Sequence, residues 1–385
     1  MDGGVNLAVA EISPGLQAFR REVREFLRDE IAEGRFTRGA GGWARWDPEF
    51  SRRLGQRGWL GMTWPKRYGG HERSALERHV MTEEMLAHGA PVRAHWVADR
   101  QSGPTILRFG TEEQKQAFLP RIAAGEMYFC IGMSEPDSGS DLASIRTRAT
   151  QVEGGWRVNG RKIWTSNAHR MHMMILFART SPLGEDRHAG VSQFLVDMKS
   201  PGISIRPIIN LAGGHDFNEV LFEDVLIPED RVIGTIGNGW KQVTSELVYE
   251  RSGPDRWLSS HSVLVGLLDH LGPEAPPESD GAVGRLVAQL WTLRNMSLGV
   301  AQLVEQGQQP QVEAALIKDL GTVFEQEVPE VARRLVGEEA LAGLPQGDDY
   351  AKVLGHGVLH APSFSIRGGT KEVLRGIIAR GLGLR

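Results

Sequence analysis

Apolar residues in the first third of the chain recur at helical spacing. Leu16, Phe19, Val23, Phe26, Leu27 and Ile31 form one stripe. Ser13-Pro14 just ahead of it has the order of an N-cap followed by proline at the first helical position. Thr111 with Gln114 three residues on has the pattern of a capping box. It opens a helix predicted over 112–119, punctuated by Pro120 and Gly125. The period then changes. Thr147 to Val152, Glu153-Gly154-Gly155, Trp156 to Val158, Asn159-Gly160 and Arg161 to Trp164 read as consecutive hairpins, because Asn-Gly between alternating segments is a strong hairpin signal. Met173 to Ala178, Val191 to Val196, Ile203 to Arg206 and Glu219 to Ile227 are further strand-like runs, separated by turn residues at 182–184, 201–202 and 213–214. From Gly239 the helical period returns, with stripes at Leu286, Leu290, Leu293 and Met296 and at Leu316, Leu320 and Phe324. The Pro- and acid-rich stretch 272–281 is predicted to be a surface loop between helices. This order predicts a mostly α protein with a β unit inserted in the middle.

Composition narrows the function classes. The chain has 385 residues, 44 Lys and Arg against 48 Asp and Glu, and a formal net charge of -4. That balance gives no electrostatic case for a nucleic-acid binder. A single cysteine, Cys130, leaves no disulfide framework and suits a reducing, cytoplasmic setting. No run approaches the roughly 18 apolar residues of a transmembrane helix, and residues 1–10 lack a signal-peptide pattern, so no membrane association is expected. Dinucleotide, P-loop, serine-hydrolase and zinc-protease motifs are missing, and the twelve histidines show no metal-ligand spacing. No metal site is expected.

Two segments carry candidate chemistry. The junction Cys130 to Asp141 is rich in Gly, Ser and acids: glycine permits close backbone approach and Ser134 and Ser140 offer hydroxyls. Taken alone it is a plain loop. Lys162 to Asn167 sets Trp164 beside hydroxyls, and alone Trp164 reads as core.

Together with further blocks these segments resemble the acyl-CoA dehydrogenases over nearly the whole length. The blocks include Gly61 to Gly70, Gly110 to Gln116, Ser134-Glu135-Pro136 with Ser138 to Asp141, and Asn159 to Asn167. Glu219 to Val225 with Pro228, Gly237 to Trp240, and the tail Ile366 to Leu384 complete the set. The resemblance implies a three-domain fold: a helical domain over 1–127, a β-barrel-like middle domain over 128–238 and a helical bundle over 239–385. It implies FAD held by the middle domain and the bundle, with its adenine end reaching a neighbouring subunit. It also implies oxidation of an acyl-CoA to the 2,3-enoyl-CoA, with electrons leaving through an electron-transfer flavoprotein.

By the same correspondence Met133 and Ser134 contact the isoalloxazine, and Gly139 and Ser140 lie near the cofactor, Ser140 also near the pantetheine arm. Trp164 flanks the flavin, Thr165 and Ser166 face its pyrimidine edge and N5, and Thr370 and Glu372 touch the cofactor from the tail. Such chemistry needs a carboxylate to remove the thioester α-proton while a hydride passes to the flavin. Two departures bear on it. Many members carry the base as the first residue of a tail Glu-Gly-Thr, where this chain has Gly368-Gly369-Thr370. A second branch carries it on a C-terminal-domain helix as Glu-Arg, and Glu250-Arg251 stands at that point. The resemblance therefore implies Glu250 as base and Arg251 on the substrate side. The chain also lacks the family's Arg-x-x-Phe-Gly and Gln-x-x-Gly-Gly-x-Gly runs, which contact a neighbour's FAD, and has Gly337-Glu338-Glu339 and Gly343-Leu344-Pro345 in that region. A heterotetramer with a related chain is the expectation, acting by analogy on bulky or sterol side-chain thioesters. The competing reading is a non-catalytic structural subunit that supports a related chain's site. A scaffold has no need of a base at 250.

Overall fold

The computed structural model describes residues 5, 7, 11–37, 42–337 and 349–384, with backbone only for 246–250, 278 and 349. In chain order the early helices are α1 (Pro14–Ala32), α2 (Pro48–Gln56), α3 (Ala75–Ala87), α4 (Gly103–Phe109) and α5 (Glu112–Ala123). The later ones are α6 (Gly239–Arg251), α7 (His261–Leu271), α8 (Pro277–Glu305), α9 (Gln311–Val336), α10 (Asp349–His360) and α11 (Lys371–Gly381). Strands lie between the two sets: β1 (Phe129–Gly132), β2 (Arg148–Val152), β3 (Gly155–Ser166), β4 (Met173–Arg179), β5 (Val191–Asp197), β6 (Ile203–Ile208), β7 (Phe217–Pro228) and β8 (Val232–Ile233). The chain forms two compact units, one of residues 47–72 and 94–247, the other of 1–46, 73–93 and 248–385.

The first unit holds the sheet. Its strands run in the order β6-β7-β3-β2-β4-β5-β8, with β1 added parallel to β4. The predicted turn at Glu153-Gly154 joins β2 to β3, with Val152 opposite Gly155. Trp64, Ile106, Phe118, Leu119 and Ile122 pack with Phe129, Ile175 and Leu195 in one core cluster, which ties α4 and α5 to the strands. A second cluster of Ile145, Phe177, Val191 and Val243 takes the side chain of Met133 against it. Met133 is thus anchored through its side chain, and its backbone becomes a fixed part of the wall.

The second unit is helical. Ser13 caps α1 by accepting the Leu16 N–H at 3.2 Å, as the Ser-Pro order predicts, and Leu16, Phe19, Val23, Phe26 and Leu27 are buried. Charged groups join three helices around the buried side chains of Arg20, Glu83 and Glu84. Arg20 bonds Glu83 at 2.7 Å and Glu84 at 2.5 Å, Arg24 bonds Glu84 at 2.8 Å, and Arg294 of α8 also pairs with Glu83.

Four local expectations are corrected. Asn159-Gly160 is not a turn: β3 runs through it, and the register against β7 shifts between Val158 and Gly160. The Asn159 side chain exchanges hydrogen bonds with Asp224, 2.9 Å each way, and a Cβ on Gly160 would come within 2.6 Å of the Thr147 Cα. Helix α5 continues through Pro120 to Ala123, burying Leu119, Ile122 and Ala123. The stretch 272–281 is a loop only as far as Pro276, and Pro277 begins α8. In α9 the buried face is Ala314, Ile317, Lys318, Gly321, Phe324 and Val328, while Leu320 is 46% exposed. Gly321 sets that rotation, because a Cβ there would fall 2.2 Å from the Arg256 carbonyl oxygen.

Candidate active site

The two segments singled out in the sequence meet in the sheet unit. Beyond β1 the chain passes Met133, Ser134 and Glu135, and the Ser134 carbonyl accepts the Ile163 N–H at 2.9 Å. Lys162, completely buried, donates to the Met133 carbonyl at 2.8 Å and to Glu135 at 2.8 Å. Glu135 also accepts the N–H groups of Arg146 at 2.7 Å and Thr147 at 2.9 Å. Burial opposes the charge on Glu135, but Lys162 and the two amides outweigh it and hold the carboxyl below its usual range. Burial pushes the Lys162 ammonium down to about 8, against the pull of Glu135, so both are charged at neutral pH. Sequence reasoning missed this pair as a functional element, since nothing in its spacing distinguishes Lys162 from a solvated strand lysine.

Past Lys162 the backbone is strained. Trp164 has φ +58° and Asn167 φ +50°, conformations that cost about a kcal/mol or more for residues other than glycine. The twist turns Trp164 outward, 56% exposed, edge-on to Phe217 at 5.9 Å. The Oγ1 of Thr165 and the Nδ2 of Asn167 are buried and have no hydrogen-bond partner among the described residues. Asn218 props this turn from β7. Its Nδ2 donates to the Thr165 carbonyl at 3.1 Å, and its Oδ1 takes His169 Nδ1 at 3.1 Å and His215 Nε2 at 2.7 Å. The two imidazoles stack 3.9 Å apart. Burial, with the neighbouring His215, lowers the pKa of His169. Asn218, His169 and His215 carried no sequence signal.

Ser138 is buried and bonds the Asp141 carbonyl at 2.8 Å, bending the loop so that Gly139 and Ser140 are exposed. A Cβ on Gly139 would meet nothing within 4 Å, so open space surrounds it.

In the helical unit, Arg251 ends α6 and is buried, its Nε donating to the Gly368 carbonyl at 3.1 Å. Gly368 and Gly369 both have positive φ, +67° and +102°. Arg367, beside them, bonds Glu325 at 2.6 Å and Ser259 at 2.6 Å. Thr370 caps α11 through its hydroxyl, accepting the Val373 N–H at 3.5 Å. Glu372 is exposed in the first turn, its carboxyl lowered by its own backbone N–H and the Thr370 hydroxyl. The structure thus brings Arg251 to the tail glycines. The side chain of Glu250 lies outside the described residues, as do Glu338-Glu339 and Gly343-Leu344-Pro345. Among the described residues no cluster of three His, Cys, Asp or Glu could hold a metal, and no helix is long and apolar enough to cross a membrane.

The order helices, sheet, helices, with this loop and the strained tryptophan turn both in the sheet unit, defines a class of fold with a helical bundle after an inserted sheet. Models of the N-terminal, middle and C-terminal domains of acyl-CoA dehydrogenase match residues 13–126, 130–225 and 279–383. Acyl-CoA dehydrogenase IpdE1 of Mycobacterium tuberculosis is 33% identical over 388 residues, covering 96% of this chain and 98% of that protein. A solved structure described as the Tcur3481-Tcur3483 steroid ACAD is 29% identical, covers 98% of this chain and 99% of its own, and superposes with a TM-score of 0.87. The ChsE4-ChsE5 complex from Mycobacterium tuberculosis is 28% identical, covers 98% of this chain and 100% of its own, with a TM-score of 0.82. The chain belongs to the acyl-CoA dehydrogenase family and is an oxidoreductase of that class, with FAD as its cofactor. The residues in place fit such a group: an exposed indole face and two buried polar atoms without a protein partner are what a flat, hydrogen-bonding ring system needs.

Proposed function

We propose that the chain is the base-carrying subunit of a dehydrogenase that removes the α and β hydrogens of a bulky acyl-CoA thioester, giving the 2,3-enoyl-CoA. The observation that carries this reading is the exchange of residues between two places: Gly368 stands where many members have their glutamate, and Glu250-Arg251 closes α6. Glu250 is the base that takes the α-proton. A carboxylate shielded from water is strong enough for that weakly acidic C–H. Arg251 steadies the substrate side. Bound FAD supplies the acceptor for the β-hydride. Met133, Ser134, Trp164, Thr165 and Ser166 hold its ring, Gly139 leaves room for it, Ser140 serves the cofactor and the pantetheine arm, and Thr370 and Glu372 contact the cofactor from the tail.

A related chain completes the site in a heterotetramer. What supports this is the lack of both phosphate-contacting runs in the sequence, together with two relatives whose structures are described as two-chain assemblies. The likeness to the steroid ACAD, with the paired glycines 368 and 369 at the tail, favours sterol side-chain thioesters as substrate. An electron-transfer flavoprotein is the acceptor.

Glu250→Gln tests the base. It keeps the shape and removes the proton acceptor, so reduction of bound FAD by acyl-CoA should slow about 10²–10⁴-fold with FAD occupancy unchanged. Wild-type rates in that variant would overturn Glu250 as the base.

A further inference from the structure

We infer that Lys162 is a positioning residue for the flavin, acting through the Met133–Ser134 peptide; this rests on the siting of the ring proposed above. A trans peptide points its C=O and N–H in opposite directions. The Met133 carbonyl receives the buried Lys162 ammonium at 2.8 Å, so the Ser134 N–H points away from it. That N–H has no hydrogen-bond partner among the described residues. A cation on the carbonyl draws electron density through the peptide and makes the N–H a stronger donor, the cooperative effect expected where the local dielectric is low.

The arrangement is rigid at every point. Glu135 neutralises Lys162 and is itself fixed by the Arg146 and Thr147 amides. Ser134 is locked from its other side by Ile163 N–H, and Met133 by its packing against Ile145, Phe177 and Val191. A Cβ on Gly132 would fall 3.3 Å from Lys162 Cγ and 2.6 Å from Met174 Sδ, so the lysine stem packs closely against the Gly132 backbone. A buried ion pair is a poor way to gain stability, because desolvation offsets most of its attraction. Here its product is a single amide donor held in place and strengthened, at the loop proposed to contact the isoalloxazine. Extra negative charge on the ring is favoured by such a donor.

Two variants are needed, since Lys162→Met alone strands the Glu135 carboxylate and threatens folding. The double variant Glu135→Gln/Lys162→Met removes both charges together. Each is purified with its oligomeric partner, stripped of FAD, checked by melting of the apoprotein, and titrated with FAD. The result expected of the folded double variant is roughly tenfold weaker FAD binding, the worth of one charge-assisted bond, with a more negative midpoint potential of the bound flavin. Trp164→Ala serves as the control for siting. A flavin spectrum that responds to Trp164→Ala, while affinity and potential stay at wild-type values in the double variant, overturns the role of Lys162 alone. A spectrum that responds to neither overturns the siting itself, and the inference with it.

Discussion

Trp164 shows how a residue's type can mislead about its environment. Alone it reads as core, and its proposed contact with the flavin comes from the neighbouring blocks; in the structure it is 56% exposed on a positive-φ backbone. Alternation along β3 cannot foresee that, since the twist at 164 is imposed by Asn218 and Phe217 on β7, more than fifty residues away. Lys162 was illegible for the same reason: its burial depends on loop 133–135, not on its strand. At this scale the prediction concerns Ser166. Ser166→Ala should remove one neutral hydrogen bond to the ring, a net loss of about 1 kcal/mol, or roughly fivefold in FAD affinity. Titration of the apoprotein with FAD measures it; an unchanged affinity and spectrum would take Ser166 out of the flavin site.

Element ends and sheet strands were legible where a local signal exists. Ser13-Pro14 and the Thr111–Gln114 box start helices as predicted, because a cap satisfies its own backbone within three residues. Asn159-Gly160 failed because the turn needs positive φ at both residues, whereas only Gly160 takes it and Asn159 is tied to Asp224 of the partner strand. The rotation of α9 failed because Gly321 answers to the Arg256 backbone rather than to the stripe of leucines. Thr370 caps α11 and is proposed to touch the cofactor, and a substitution separates the two. Thr370→Ala should lower stability by about 1 kcal/mol through the lost cap of α11, and Thr370→Ser should restore it. Thermal melting of the apoprotein reads this without reference to FAD.

Acid stability is set at the level of buried elements as well. Burial pushes the imidazoles of His79, on α3, and His95 down to about 4. Both are neutral in the fold but take a proton in the unfolded chain near 6.5. A depressed folded value means that stability is full above the unfolded pKa and is lost as pH falls toward the folded one. The loss therefore begins below about 6.5, above the range where Glu83 and Glu135 titrate, and reaches at most roughly 3 kcal/mol for each histidine near pH 4. Urea midpoints between pH 7.5 and 4.5 should fall steadily; a flat profile would show that the unfolded chain gains no proton over the fold there.

At the scale of the whole molecule, the order helices, sheet, helices was readable from the change of hydrophobic period alone, while the family blocks supplied the rest. This chain has the loop and tryptophan turn that suit the flavin ring and neither of the usual runs for a neighbour's pyrophosphate. In a symmetric homo-oligomer each subunit must supply both. The proposal that the working enzyme is built from two related chains is tested by FAD occupancy together with native mass, for this chain expressed alone and with a related chain carrying Arg-x-x-Phe-Gly. Little bound FAD is expected for the chain alone, and a fully yellow two-plus-two assembly, bleached by acyl-CoA, for the pair. A stable homotetramer of this chain alone, fully loaded with FAD and turning over, would contradict it.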